Sequence, residues 1–167
     1  MSLALDTLST AMFLRGLNAL SGLIDRAVEA GLDEATLMQA RLAPDMRPFP
    51  DQVRMASFSA RSCIARLTDQ PWPKTDDAEA SLAELKATVA LSIAFIEGVE
   101  AAAFAGSETR RVELRFPGVE LNFEGQGYLT SFALPNFYFH LSMAYALLRQ
   151  AGVPLGKRDF LGSIELI

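Results

Sequence analysis

Leu8, Met12, Leu17, Leu20, Ile24 and Ala27 recur three, four or five residues apart, the spacing of an amphipathic helix from Leu5 to near Gly31. Asp33 is placed to cap a short helix through Ala40, its carboxylate accepting the free amides of the next turn. Pro44, Pro48 and Pro50 then fix φ and remove donors, which predicts an ordered but irregular connector over residues 41–50. Pro50 suits the first position of a second long helix. There Val53, Ala56, Ala60, Cys63 and Leu67 form the apolar stripe, and Arg54, Arg61 and Arg66 are expected to be solvated. Pro71, Trp72 and Pro73 are expected to close this helix. A third helix, starting around Asp76 and Glu79, carries Leu82, Leu85, Val89, Ile93 and Ile96, with Gly98 and Gly106 bracketing its end.

The period then drops to two. Val112, Leu114 and Phe116 alternate with Glu113 and Arg115, and Val119, Leu121 and Phe123 alternate with Glu120 and Asn122, which predicts a β-hairpin. Pro117 presets φ and Gly118 accepts a positive φ, so the pair can form the turn. A lone hairpin is marginal in water, so its apolar face, Phe116 and Phe123 included, is expected against the helices. Tyr128 to Phe132 is expected as a helical turn, and a fourth long helix is expected from near Pro135 to Gly152. The segment from Gly152 to Gly162 lacks helical periodicity and is expected as an extended tail. The pattern as a whole predicts an all-α four-helix bundle with a hairpin inserted before the last long helix, as a single domain over 1–167.

Composition narrows the function. A chain of 167 residues, 50% hydrophobic and 21% charged, fits one domain with its own core. A formal charge of -5 opposes nucleic acid as a partner, since phosphate binders concentrate Lys and Arg on one face. The most apolar stretch, Ala87 to Ile96, is about half the ~20 residues of a membrane span, so no membrane association is expected. Cys63 is the only cysteine and no basic leader precedes an apolar run, which fits a bacterial-type cytoplasm. In a buried helix stripe that thiol reads as packing.

His140 is the only histidine, which excludes a three-histidine metal site, a paired-histidine mechanism and a zinc ribbon within one chain. Phe137, Leu141, Ala144 and Leu148 define the inward stripe of the last helix, and His140 falls about 70° from its centre, at the border of the core. Asn136, one turn earlier, is positioned to hydrogen-bond the imidazole. Three roles are open to His140: a paired core residue, a general base, or the one imidazole of a mixed site for a divalent ion such as zinc or nickel. The last would draw oxygen donors from Asp45, Asp51 and Gln52. In the connector, Arg41 and Asp45 read either as a turn, with Asp45 accepting amides and Arg41 paired to a carboxylate, or as the rim of a pocket for an anion. Phe132, Phe137 and Tyr138 read as core. Phe139, and Met143 on a different flank, point off the stripe, and the exposure of either is expected to mark a homodimer face.

The connector ARLAPDMRPFPDQV (Ala40 to Val53) and the last-helix stretch ALPNFYFHLSMAYALLRQAGVPLGKRDFLG (Ala133 to Gly162), with a hairpin between, make the chain resemble an uncharacterised bacterial domain-of-unknown-function family. That family belongs to the DinB/YfiT-like superfamily of four-helix bundles, and the resemblance covers essentially the whole chain. It implies the bundle fold and a dimer. Many relatives bind a divalent metal through one histidine on the second helix and two, four residues apart, on the last; some are thiol-dependent transferases. Here Gln52 stands on the second helix, and the positions four residues either side of His140 are Asn136 and Ala144. The metal site and the transferase activity are therefore not carried over. The expected site is a small pocket bordered by His140, Asn136, Tyr138, Arg41, Asp45 and Gln52. Two functions follow: a small-molecule-binding or interaction protein with an incomplete metal site, or a metal-assisted or general-base enzyme using His140.

Overall fold

The computed structural model describes residues 4–163. The first stripe folds as α1 (Leu5–Glu29), burying Phe13, Leu17, Leu20, Leu23 and Ile24 completely. The short α2 (Glu34–Gln39) is capped as expected, Asp33 accepting the Thr36 amide at 3.0 Å. The connector leads into α3 (Phe49–Thr68), with Pro50 in its first turn where a missing N–H costs nothing. α4 (Leu82–Glu97) follows a segment without regular structure. A 3-10 turn (Ala101–Phe104) then leads to the hairpin, β1 (Arg111–Phe116) and β2 (Val119–Glu124). The last rod is continuous: α5 (Gly125–Tyr128), a π turn (Leu129–Ala133) and α6 (Leu134–Gln150). A short α7 (Lys157–Leu161) closes the described chain.

α1, α4, α3 and α6 are neighbours in that cyclic order, so each long helix packs on two others around one apolar centre. α1 and α6 meet where Phe13 and Phe137 lie edge to face, centroids 5.2 Å apart. Gly16 permits this approach, since a Cβ there would collide with the Phe137 ring. The strands pair antiparallel with Phe116 opposite Val119, leaving Pro117 and Gly118 as a two-residue turn in which Gly118 has φ +76°. No helix among the described residues is long and apolar enough to cross a membrane.

Four expectations about element bounds and exposure need correction. The α3 helix already ends at Thr68, three residues before Pro71, with Asp69 left-handed at φ 55°. α4 begins at Leu82 rather than near Asp76: Ser81 caps it by accepting the Glu84 amide at 3.2 Å, while Glu79 is held on α3 by Arg54 Nε at 2.7 Å. The fourth long helix begins at Leu134, beside Pro135 as expected, and the helical turn expected before it extends the same rod back to Gly125. A Cβ at Gly125 would collide with the Ser107 carbonyl, so this glycine marks a close backbone approach and not a break. Pro135 is tolerated inside the rod because the π turn before it, with its longer-range bonding, relieves the clash between the proline ring and the carbonyl one turn back. Residues 157–161 form α7 rather than an extended tail, held on α1 by Arg15 donating to the Leu161 carbonyl at 2.9 Å. Finally, Phe116 is 50% exposed, because the hairpin buries only its root, Val112 and Leu114, against the rods.

The side of α3 expected to face water is also partly covered. Arg61 is only 2% exposed, donating to Ser92 Oγ at 3.0 Å and to Thr75 Oγ1 at 2.8 Å. Thr75 in turn donates to Asp77 at 2.8 Å, so a carboxylate balances the guanidinium through one hydroxyl. Burial lowers the Arg61 pKa, while Asp77 and Glu79 oppose that shift. The loop before α4 lies over this flank of α3 and removes it from solvent.

Candidate functional site

Two polar places lie between α3 and the last rod. The first holds the lone imidazole. Gln52, on the first turn of α3, donates Nε2 to the Arg47 carbonyl at 2.9 Å, which turns its Oε1 toward His140 Nδ1 at 2.8 Å. An amide oxygen only accepts, so the His140 proton sits on Nδ1 and Nε2 carries the lone pair. Both side chains are buried, and burial first, then the charge of Arg47, holds the imidazole below its ordinary value of 6.5.

The other expected site residues do not gather there. Asn136 turns to Ser59, donating Nδ2 to its Oγ at 2.7 Å instead of bonding the imidazole. Tyr138 faces α1, where its hydroxyl accepts from Arg15 at 2.6 Å and donates to the Met12 carbonyl at 3.2 Å. Arg41 is exposed and donates to the Met46 carbonyl at 2.7 Å, so it braces the connector through a backbone oxygen and not a carboxylate; Asp45 is exposed. Asp51 is paired with Arg54 at 2.6 Å and Arg47 at 3.2 Å. His140 and Gln52 are therefore the expected pair that the fold brings together. Their donor set does not fit a divalent ion: the Gln52 oxygen is turned to Nδ1, Asp51 is neutralised by two arginines, and no three His, Cys, Asp or Glu side chains converge among the described residues.

The second place is a cleft of about 400 Å³ between α3, β1 and the start of the last rod. One wall is a single face of α3, Met55, Ser59, Ser62 and Arg66, spaced four, three and four residues apart. The facing wall is Tyr128, Phe132 and Asn136, each four apart across the π turn, whose extra residue per turn keeps a four-residue spacing near one line. Because the two rods run antiparallel, Ser59 meets Asn136 at one end and Arg66 meets Tyr128 at the other. Glu113, Leu114, Arg115 and Phe116 of β1 form the outer edge, Glu113 and Arg115 paired at 3.1 Å, and the rings of Phe116 and Phe132 lie 6.5 Å apart.

At the Arg66 end the guanidinium carbon lies 4.9 Å from the Trp72 ring centroid and 6.0 Å from that of Tyr128. Its Nη1 donates to the Ser62 carbonyl at 3.3 Å and the Tyr128 hydroxyl at 3.4 Å. No carboxylate pairs with Arg66 among the described residues, unlike Arg54 and Arg115, which are bound to Glu79 and Glu113. Burial pushes the Tyr128 hydroxyl up to about 12, so it stays a neutral donor. Cys63 is fully buried and burial pushes its thiol up as well, which removes it as a nucleophile.

The expected pocket and this cleft share Asn136. Ser59, Ser62, Arg66, Tyr128 and Phe132 were not anticipated as site residues, although two signals were present. One is the mixed polar and apolar face at Met55, Ser59, Ser62 and Arg66; the other is the matching spacing of Tyr128, Phe132 and Asn136. A larger, more open trough between α1 and α7 is lined by Arg15, Arg26 and Arg158, and Arg15 is already occupied by Leu161 and Tyr138.

No curated protein matches the chain. A crystal structure of a DinB family member from Shewanella denitrificans is similar to it, with a TM-score of 0.87 and 34% identity over 98% of this chain and 94% of that one. The model of a domain of unknown function, DUF1993, matches residues 5–161. With the bundle, its inserted hairpin and this match in agreement, the chain belongs to the DUF1993 family, a DinB-like family of unknown function.

Proposed function

We propose that this protein binds a small amphipathic molecule in the cleft between α3, β1 and the last rod. The observation that carries the reading is the cleft itself, about 400 Å³ with the Phe116, Phe132 and Leu114 side chains along it and separate hydrogen-bonding groups at each end. Ligand sites combine these features: apolar walls supply affinity, and a few convergent polar groups set orientation. General-base chemistry at His140 has less support. The Nε2 lone pair is a base in kind, but the ring is buried outside the cleft and already engaged through Nδ1.

Titration with 1-anilinonaphthalene, a neutral aromatic amine, tests the reading. Saturable binding is expected, with amide shifts clustered on residues 55–66 and 128–136. Saturable binding that shifts residues around α1 and α7, or no saturation, overturns it. A second reading, self-association, rests on Phe139, which is 50% exposed on α6. Sedimentation velocity on the wild type and on Phe139→Ser separates the two, because loss of a dimer in the variant with unchanged dye binding places the copy interface away from the cleft.

A further inference from the structure

We infer that the ligand of this cleft is a monoanion with a neutral polar end, its acidic group seated on Arg66 and its other end on Ser59 and Asn136. The inference rests on the reading of the cleft as a binding site and adds the chemistry of what fills it. Arg66 is a cation without a carboxylate partner among the described residues, backed by the Trp72 ring at 4.9 Å and fixed through Nη1 by the Ser62 carbonyl. With Nη1 engaged, Nε and Nη2 have no protein partner among the described residues, and these donors form the edge that accepts a carboxylate or sulfonate through two parallel bonds. The Tyr128 oxygen accepts from Arg66, so its own proton is available to the same anion.

The opposite end has different chemistry. Asn136 Nδ2 is bonded to Ser59 Oγ at 2.7 Å, which leaves the Ser59 proton and Asn136 Oδ1 as one donor and one acceptor, suited to a hydroxyl or amide. Ser59 and Arg66 are separated by seven residues of helix, about 10 Å at the α-helical rise. That span, with the Phe132 ring between its ends and Met55 one turn beyond Ser59, fits an aryl or short alkyl acid and is too short for a polymer. Glu113, the carboxylate in the lining, is already held by Arg111 and Arg115, so a cationic ligand would face Arg66 without a free counter-charge, and a wholly neutral one would leave its fork to water.

The test compares 8-anilino-1-naphthalenesulfonate with 1-anilinonaphthalene, two dyes with the same rings that differ by one sulfonate. The wild type is expected to bind the anion more tightly. Arg66→Gln is expected to weaken the anion about ten-fold and the neutral dye less than about two-fold. Arg115→Gln removes an equal charge from the rim, where Glu113 already balances it, and is expected to change either dye by less than about two-fold. Arg66→Lys keeps the charge without the fork and is expected to fall between wild type and Arg66→Gln; it carries the test if the Gln variant loses its helical circular dichroism. Equal weakening of both dyes in Arg66→Gln, or no weakening of the anion, overturns the inference while leaving the cleft as a site. Failure of both dyes to bind the cleft removes the site and the inference together.

Discussion

The His140–Gln52 pair and the Arg66 end of the cleft lie on the same two rods, about 20 Å apart along α3, yet they behave as opposites. The imidazole is conspicuous in the sequence and closed in the fold: its Nδ1 proton goes to Gln52, whose amide is anchored to the Arg47 carbonyl. Arg66 looks like an ordinary solvated helix charge, yet it is held between aromatic rings with two donors unpaired among the described residues. Rarity of a residue type therefore points to chemistry less reliably than the number of polar atoms left without a partner. A satisfied buried group stabilises the fold, whereas a half-buried donor without a protein partner beside a cavity is open to a ligand.

The largest expected effect comes from Gly125→Ala, which forces a side chain against the Ser107 backbone at the start of the rod that carries Tyr128. A loss of about 3 kcal/mol in urea unfolding is expected, together with loss of dye binding. Unchanged stability would mean that the close approach is not required and that the cleft can be built another way. Next, Gln52→Ala leaves the His140 N–H and the Arg47 carbonyl without their partner, and about 2 kcal/mol of destabilisation is expected by calorimetry. Dye affinity should stay at the wild-type value. A fall in affinity without a fall in stability would tie the imidazole to the cleft and erase the contrast drawn above.

A smaller effect is expected with pH. The folded His140 pKa is lowered from 6.5, so the unfolded chain binds more protons, and stability is full above that value and declines as pH falls below it. The carboxylates held low, Asp33 and Glu79, lose their contributions only in a more acid range, below 3.8 and 4.5. With one histidine in the chain, a shallow loss of stability as pH falls below 6.5 is assigned to it, and His140→Gln should flatten that slope. The smallest change is expected for Phe139→Ser, whose ring is half exposed: within about 0.5 kcal/mol of wild type in thermal unfolding. A large loss there would show that Phe139 is covered in solution, and would favour the self-association reading.

Much of the fold is readable from local patterns. The stripes of α1, α3 and α4, the Asp33 cap and the Pro117–Gly118 turn each depend on residues within a turn or two of one another. The start of the last rod is not local, because it depends on Gly125 meeting Ser107 across the hairpin. Nor is the burial of Arg61, which requires the loop at Thr75 to lie over α3. α7 has the same character, since its anchor on Arg15 is 146 residues away along the chain. For the site, Asn136 is legible as a polar residue at the core border, but its partner Ser59 is 77 residues away, and no spacing rule connects the two.

By itself the amino-acid order determined the number of long helices, the hairpin and its turn, and the restriction to a single imidazole, because helix and turn chemistry act over a few residues. It also carries the family, through signatures long enough to be matched along residues 5–161. Only the packed bundle decided which side of α3 is left to water, that the imidazole is tied to an amide, and that a guanidinium with no carboxylate partner among the described residues closes one end of a cleft. These depend on the antiparallel setting of α3 against the last rod, where each facing pair is chosen by how two whole surfaces fit.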